Sequence, residues 1–299
     1  MFIPKTMKHL LLVLVAIVTL VPARAQKSPA QNQSSNAAPQ RVRMVKGERY
    51  EFSTVADVEN RVTMMGSEQV TNLSSKVKST IDVLSGGKDS AVVAMKIRNL
   101  EVSMKGMAMM GVPDTTIRRD SVPNGSEEVT VSSAGKILAR KERESTESES
   151  DPDNRMLRQV LGNGSMTRGM FIPFPDKALM SGDEWTDVRN DTVTGEQTMI
   201  SNIVVRYTYE GTCDTLGMKC GRIKARSEKY VTSGSIKRMG AEMTMEGDGV
   251  VKASYLYELK SGVPVIITST TETDQRLSVG EGMEIPISTT TTMRMSRVK

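Results

Sequence analysis

This sequence predicts an all-β fold: two tandem, similar antiparallel curved sheets or half-barrels, with one short connecting helix. Three observations carry the prediction. Stretches such as "RYEFSTV", "VVRYTYEG", "VVKASYLYEL" and "VPVIITSTTET" alternate apolar and polar residues and are rich in Val, Ile, Thr and Tyr, the pattern of strands with one buried face. Only "DNRMLRQVLGNG", residues 153–164, has helical spacing, with Met156, Leu157, Val160 and Leu161 on one face and Gly162 as a stop. Landmarks also recur in the same order: "GERYEF" and "GDEWTD", then "AMKIRNL" and "KCGRIKA", then "VSSAGKILAR" and "YELKSGVPVI". Their offsets are 135, about 126 and about 127 residues, so a unit is duplicated with one insertion in its first copy.

Taken in order, residues 1–25 read as a cleaved secretory signal. Lys5 and Lys8 precede the apolar run Leu10 to Val21, and Ala23-Arg24-Ala25 supplies the cleavage site. As a helix that run reaches only about 18 Å, well short of a bilayer core. No cysteine stands at the cleavage point, which argues against a lipid anchor, and no second long apolar stretch follows. The expectation is an exported protein, periplasmic or extracellular, with no integral membrane segment after cleavage. Residues 26–41 have almost nothing to bury and read as a flexible leader. The first β unit spans 42–140, an acidic linker and the short helix 141–168, and the second β unit 169–299. Each unit is long enough for one core. Methionine is abundant, at 22 residues, so thioethers rather than rings are expected to fill irregular gaps.

Signal removal also alters the chemistry available. The net charge of +5 falls to about +2 when Lys5, Lys8 and Arg24 leave, which gives no ground for a nucleic-acid partner. His9, the one histidine, leaves with them, and imidazole-based catalysis or zinc ligation leaves too.

Ser85-Gly86-Gly87-Lys88-Asp89-Ser90 matches the phosphate loop of the PP-loop ATP pyrophosphatases letter for letter. Such a loop needs a buried strand before it and a helix after it. Here Ile81 and Val83 alternate with polar residues before the glycines, and Val93, Met95 and Ile97 continue the period of two after them. The expectation is a hairpin turn without nucleotide.

Cys213 and Cys220 bracket "DTLGMK", and a symmetric hairpin turn on Leu216-Gly217 sets them opposite each other, within disulfide reach. A disulfide is therefore expected, with a redox pair or two-thiolate metal site as the alternative. Met104, Met107, Met109 and Met110 are candidate thioether ligands for Cu(I), with core packing as the competing reading. Glu147, Glu149, Asp151 and Asp153 lack the glycine and spacing of a calcium loop and read as solvated linker. Ser75-x-x-Lys78 and Ser133-x-x-Lys136 imitate a serine–lysine motif without its helix or partner motifs. Trp185 is read as a core plug opening the second unit, or else a binding anchor.

The run "FIPFPDKALMSGDEW", followed by "GMKCGRIKA" and "GVVKASYLYELKSGVPV", resembles a broad group of uncharacterised exported proteins of Bacteroidota type. The match covers residues 170–270 best. Such sequences distantly resemble the half-barrels of periplasmic lipoprotein carriers, and that resemblance implies a concave face for acyl chains. No catalytic residue is carried over.

The functional expectation is thus a non-catalytic envelope protein without cofactor, binding a lipid or other apolar ligand, or an envelope protein partner, on a concave β face. Strand parity nominates Met95, Ile97, Val102 and Met104 in the first unit and Val205, Tyr207 and Tyr209 in the second. Periplasmic Cu(I) binding and a structural surface role, suggested by the Thr-rich strands, are the alternatives.

Overall fold

The computed structural model describes residues 40–298 apart from 65, 107–112, 121–125, 143–168, 194–196, 239–240 and 280–282. The expected signal segment and the expected helix at 153–164 lie outside the described residues. Everything regular within them is strand. The strands are β1 (Arg49–Met64), β2 (Ser67–Gly86), β3 (Ser90–Lys105), β4 (Thr115–Arg119), β5 (Ser126–Ser132) and β6 (Ile137–Glu142). The second set is β7 (Glu184–Val193), β8 (Gln197–Thr215), β9 (Met218–Arg238), β10 (Ala241–Glu258), β11 (Pro264–Val279) and β12 (Met283–Arg297).

These strands form one antiparallel sheet in the order β6-β5-β3-β2-β1-β12-β11-β10-β9-β8-β7, with β4 also paired to β3. The two expected strand sets are therefore continuous. Their seam is β1 against β12, in register from Phe52↔Arg297 to Val62↔Ile287. Pro286, which has no N–H to give, stands one residue beyond the last of these pairs, where β1 no longer needs a partner. The sheet stays open, with β6 and β7 as its two edges.

It is also strongly curled. In a flat sheet β5 and β10, six strand positions apart, would be separated by about 29 Å. Yet the adjacent residues Val42 and Arg43 donate their N–H groups to Ser133 O (2.8 Å) in the β5–β6 turn and Ser261 O (2.7 Å) in the β10–β11 turn. Bulges help the sheet bend: register shifts fall in the β2–β3, β8–β9 and β9–β10 pairings.

The two strand sets repeat each other down to single hydrogen bonds. Gly47 N donates to Val83 O (2.9 Å) while Val83 N donates to Glu48 O (2.9 Å); Gly182 N and Tyr209 O (2.7 Å), Tyr209 N and Asp183 O (2.8 Å), reproduce that exchange. Glu48 Oε2 accepts Val45 N at 2.9 Å, and Asp183 Oδ2 accepts Met180 N at 2.7 Å. Lys177 and then that backbone N–H hold the Asp183 carboxyl below its ordinary pKa. A register shift follows Val83 in one copy and Tyr209 in the other.

Two lead-in segments cross the same end of the curl, which we call the capped end. Residues 40–46 enter β1 and residues 169–183 enter β7. Each docks on the hairpin of the opposite set: Arg43 N on Ser261 O, and Phe174 N on Ala134 O at 2.7 Å. Val42, Met44, Met170, Phe171, Ile172 and Phe174 are all buried there. Full burial of such side chains stabilises by about 1.5–3 kcal/mol each, so the segments are part of the core.

Candidate functional site: the inner face of the sheet

Alternate residues of every strand point into the curl, and the capped end is its aromatic part. Tyr207 and Tyr209 on β8 and Tyr255 and Tyr257 on β10 are all buried. Tyr257 lies against Tyr255 (ring centroids 5.7 Å apart) and meets Phe174 edge-on at 5.5 Å. The Tyr257 hydroxyl donates to Met170 O at 2.6 Å, and the Trp185 indole, stacked on Tyr207 at 5.3 Å, donates to Pro173 O at 2.7 Å. Each polar tip thus fixes the backbone of the lead-in segment that its ring packs against. Trp185 is half-buried and packs against the core at the start of the second strand set.

Two charged groups sit within this apolar surround. On β7, Arg189 Nε bonds Asp187 Oδ2 at 2.9 Å, and its Nη2 donates to the Tyr207 hydroxyl. Burial works against the Arg189 charge, but Tyr207, Tyr255 and Asp187 outweigh it and hold the pKa above the ordinary arginine value. Burial likewise raises the Tyr207 phenol. At the end of β12, Arg297 places both Nη atoms 3.1 Å from Glu258 Oε2 and its carbon centre 5.4 Å from the Tyr50 ring centroid. Ser261 Oγ donates to the same Glu258 oxygen at 2.6 Å, and the Tyr50 hydroxyl donates to Glu48 at 2.6 Å. These groups tie the seam strands to the β10–β11 turn.

All seven nominated residues lie on the inner face and are buried. Met95, Val205, Tyr207 and Tyr209 belong to the core cluster at the capped end, together with the lead-in segments. Ile97, Val102 and Met104 are buried outside that cluster, further along the curl. The inward parity on β3 changes from odd to even between Ile97 and Leu100, because Arg98 is the extra residue where Lys78 pairs Asn99 and Ser79 pairs Ile97.

The expected disulfide is absent, a correction to the sequence reading. Cys213 and Cys220 do pair in register, but both are free thiols. Each sulfur turns along its own strand: Cys213 Sγ lies 3.8 Å from Thr215 Oγ1, and Cys220 Sγ approaches Met218 O at 3.5 Å. Spacing placed the two backbones correctly, but the rotamers send the sulfurs to local polar partners. Burial, then Cys213, pushes the Cys220 thiol up to about 11.

Ser85 to Ser90 is a hairpin turn: β2 ends at Gly86, Gly87 N donates to Ser90 O at 2.9 Å, and β3 leaves antiparallel with no helix. Met104 points into the sheet, while Met107, Met109 and Met110 lie outside the described residues, as do Glu147 to Asp153. Ser75 and Lys78, three apart on β2, fall on opposite faces, and Ser133 and Lys136 belong to the β5–β6 turn. Among the described residues there is no metal-ligating group of three or more His, Cys, Asp or Glu, and no helix long and apolar enough to cross a membrane.

The sequence reading missed Asp187, Arg189, Arg297 and Glu258. One signal was present: in "EWTDVRND", Trp185, Asp187 and Arg189 share a strand face, so a tryptophan read as core implies that the ion pair turns inward with it.

No protein-family model and no curated protein sequence matches the chain. Among solved structures, OccK2 (OpdF) of Pseudomonas aeruginosa is similar at 6% identity over 84% of this chain and 98% of that one, with a TM-score of 0.30. DynF from the dynemicin biosynthesis pathway of Micromonospora chersina is similar at 8% identity over 92% of both chains, TM-score 0.23. OccAB4 of Acinetobacter baumannii is similar at 7% identity over 84% of this chain and 99% of that one, TM-score 0.25. Overlaps of this size carry no argument about function.

Proposed function

We propose that this is an exported, non-catalytic binding protein that holds an apolar chain against the inner face of its curled sheet. One observation carries the reading. The lead-in segments fill only the capped end, and beyond them the inner face is lined by Leu73, Val102 and Met104 on the first strand set and Met245, Leu277 and Ile287 on the second. Aliphatic and thioether side chains make this buried stretch of the inner face an adaptable, non-directional surface suited to a methylene chain. β6 and β7 stand at the two ends of the strand order, and the way in is placed laterally, between these edges. Export is supported by the charged, short-apolar, A-x-A start of the sequence.

The test uses the mature protein purified without detergent. A hydrophobic fluorescent dye should bind and be displaced by a long-chain acyl compound, and organic extraction of the protein should release lipid. A protein that neither binds dye nor releases lipid is not a carrier, and a purely structural role takes the reading's place.

A further inference from the structure

Resting on that reading, we propose that the bound molecule carries an uncharged, hydroxyl-bearing headgroup, seated on a polar belt that crosses the inner face halfway along the curl. The belt follows from register. Val58 on β1 pairs with Thr291 on β12, Thr291 with Thr271 on β11, and Thr271 with Val251 on β10. One step further along the strands, Asn60 pairs with Thr289, Thr289 with Thr273, and Thr273 with Gly249. Ser227 on β9 continues the first rung, holding Val251 N at 2.7 Å; β8 then interposes the apolar Val205 and Ile203, and β7 brings Asp187 and Arg189 opposite them at the open edge.

The belt is bounded by apolar residues on both sides. Towards the capped end lie Ala56, Met293 and Ala253, with Ser269 between the last two; away from it lie Val62 and Ile287, with Gln275 paired to Ile287. A polar band in such a place needs hydrogen-bond partners, because a buried hydroxyl left without one costs about 1–3 kcal/mol. Some partners are internal, since Thr289 Oγ1 donates to Asn60 Oδ1 at 2.7 Å and Gln275 Nε2 donates to Thr232 Oγ1 at 3.2 Å on the next rung. Others are missing. Thr291 is 0% exposed and Ser269, its diagonal neighbour on β11, is 3% exposed, and neither hydroxyl has a hydrogen-bond partner among the described residues. Two orphaned hydroxyls on one face of adjacent strands, with further threonines beside them, offer paired donors and acceptors to something that brings its own.

Charge decides the chemical class. On the two rungs the charged side chains among the described residues are Asp187 and Arg189, and they neutralise each other. An ionised headgroup would be desolvated there without a counter-charge, whereas glycerol-like or sugar-like hydroxyls lose water and regain hydrogen bonds. The acyl chain then extends along the aliphatic residues past Ile287.

The test compares three probes of equal chain length on the full mature protein: 1-monooleoylglycerol, oleate and octadecene. Tightest binding of the glycerol ester is expected, and Thr291→Val and Ser269→Ala should each weaken it about five- to tenfold while leaving octadecene unchanged. Thermal melts of both variants establish that they fold. Equal affinity for the three probes, or an ester affinity untouched in both folded variants, overturns the headgroup assignment and leaves an interior water as the hydroxyls' partner. Binding of none of the probes overturns the carrier reading and this assignment with it.

Discussion

At the scale of single residues, the thiol of Cys220 has the most direct chemical consequence. It is buried and its pKa is raised to about 11, while Cys213 opposite is half-exposed. Thiolate rather than thiol is what an alkylating agent attacks. In iodoacetamide labelling at about pH 8, Cys213 should therefore react at least about tenfold faster, and Cys220 should be modified at a comparable rate only after denaturation. Peptide mass spectrometry of a time course reads both rates. Residue-level legibility from sequence divides along the same line. Alternation within each run placed Met95 with Ile97, Val102 with Met104, and Val205 with Tyr207 and Tyr209, because strand periodicity is a backbone property; that the two β3 pairs share the inner face depends on the extra residue at Arg98. The direction of a sulfur about its χ1, and the partners Arg189 and Arg297 find on other strands, depend on contacts far away in the chain.

At the scale of elements, the lead-in segments and the hairpins they cross form one device used twice. The turn glycines show why the fit is tight. Gly135 has φ +79 and a Cβ there would stand 2.0 Å from Ile172 O; Gly262 has φ +68 and a Cβ there would stand 2.4 Å from Arg41 O. Each is therefore held by backbone geometry and by the segment crossing over it. Gly135→Ala and Gly262→Ala should each destabilise by more than about 2 kcal/mol, while Gly66→Ala, at φ +78 with open space around it, should cost about 1 kcal/mol. Urea unfolding of the three variants checks the ranking. The hairpins were legible from "SSAGK" and "KSGVP", since turn chemistry is local. Their exchange of partners between strand sets was not, because nothing in a lead-in such as "FIPFP" states which hairpin it will cover.

At the scale of the whole molecule, the seam decides how cooperative the sheet is. β1 and β12 are interior strands with neighbours on both sides, whereas β6 and β7 each have one. Backbone amides of Val58, Asn60, Thr289 and Thr291 should be among the slowest to exchange in deuterated buffer, and those of β6 and β7 among the fastest, as read by peptide-resolved mass spectrometry. Comparable protection at edge and centre would contradict the strand order. Two tandem units could be read from recurring landmarks, because each copy repeats its own turns. That they share one sheet could not, since pairing between the first and last strands leaves no local trace in either.

The seam also has a mechanical meaning. β1 begins beside the place where β12 finishes, with Val298 N donating to Glu51 O at 2.8 Å. A load applied between Arg49 and Arg297 pulls these two strands apart crosswise from one end. Their ladder would then peel bond by bond under small force instead of resisting as a block, and the widest breach would run through the middle of the protein.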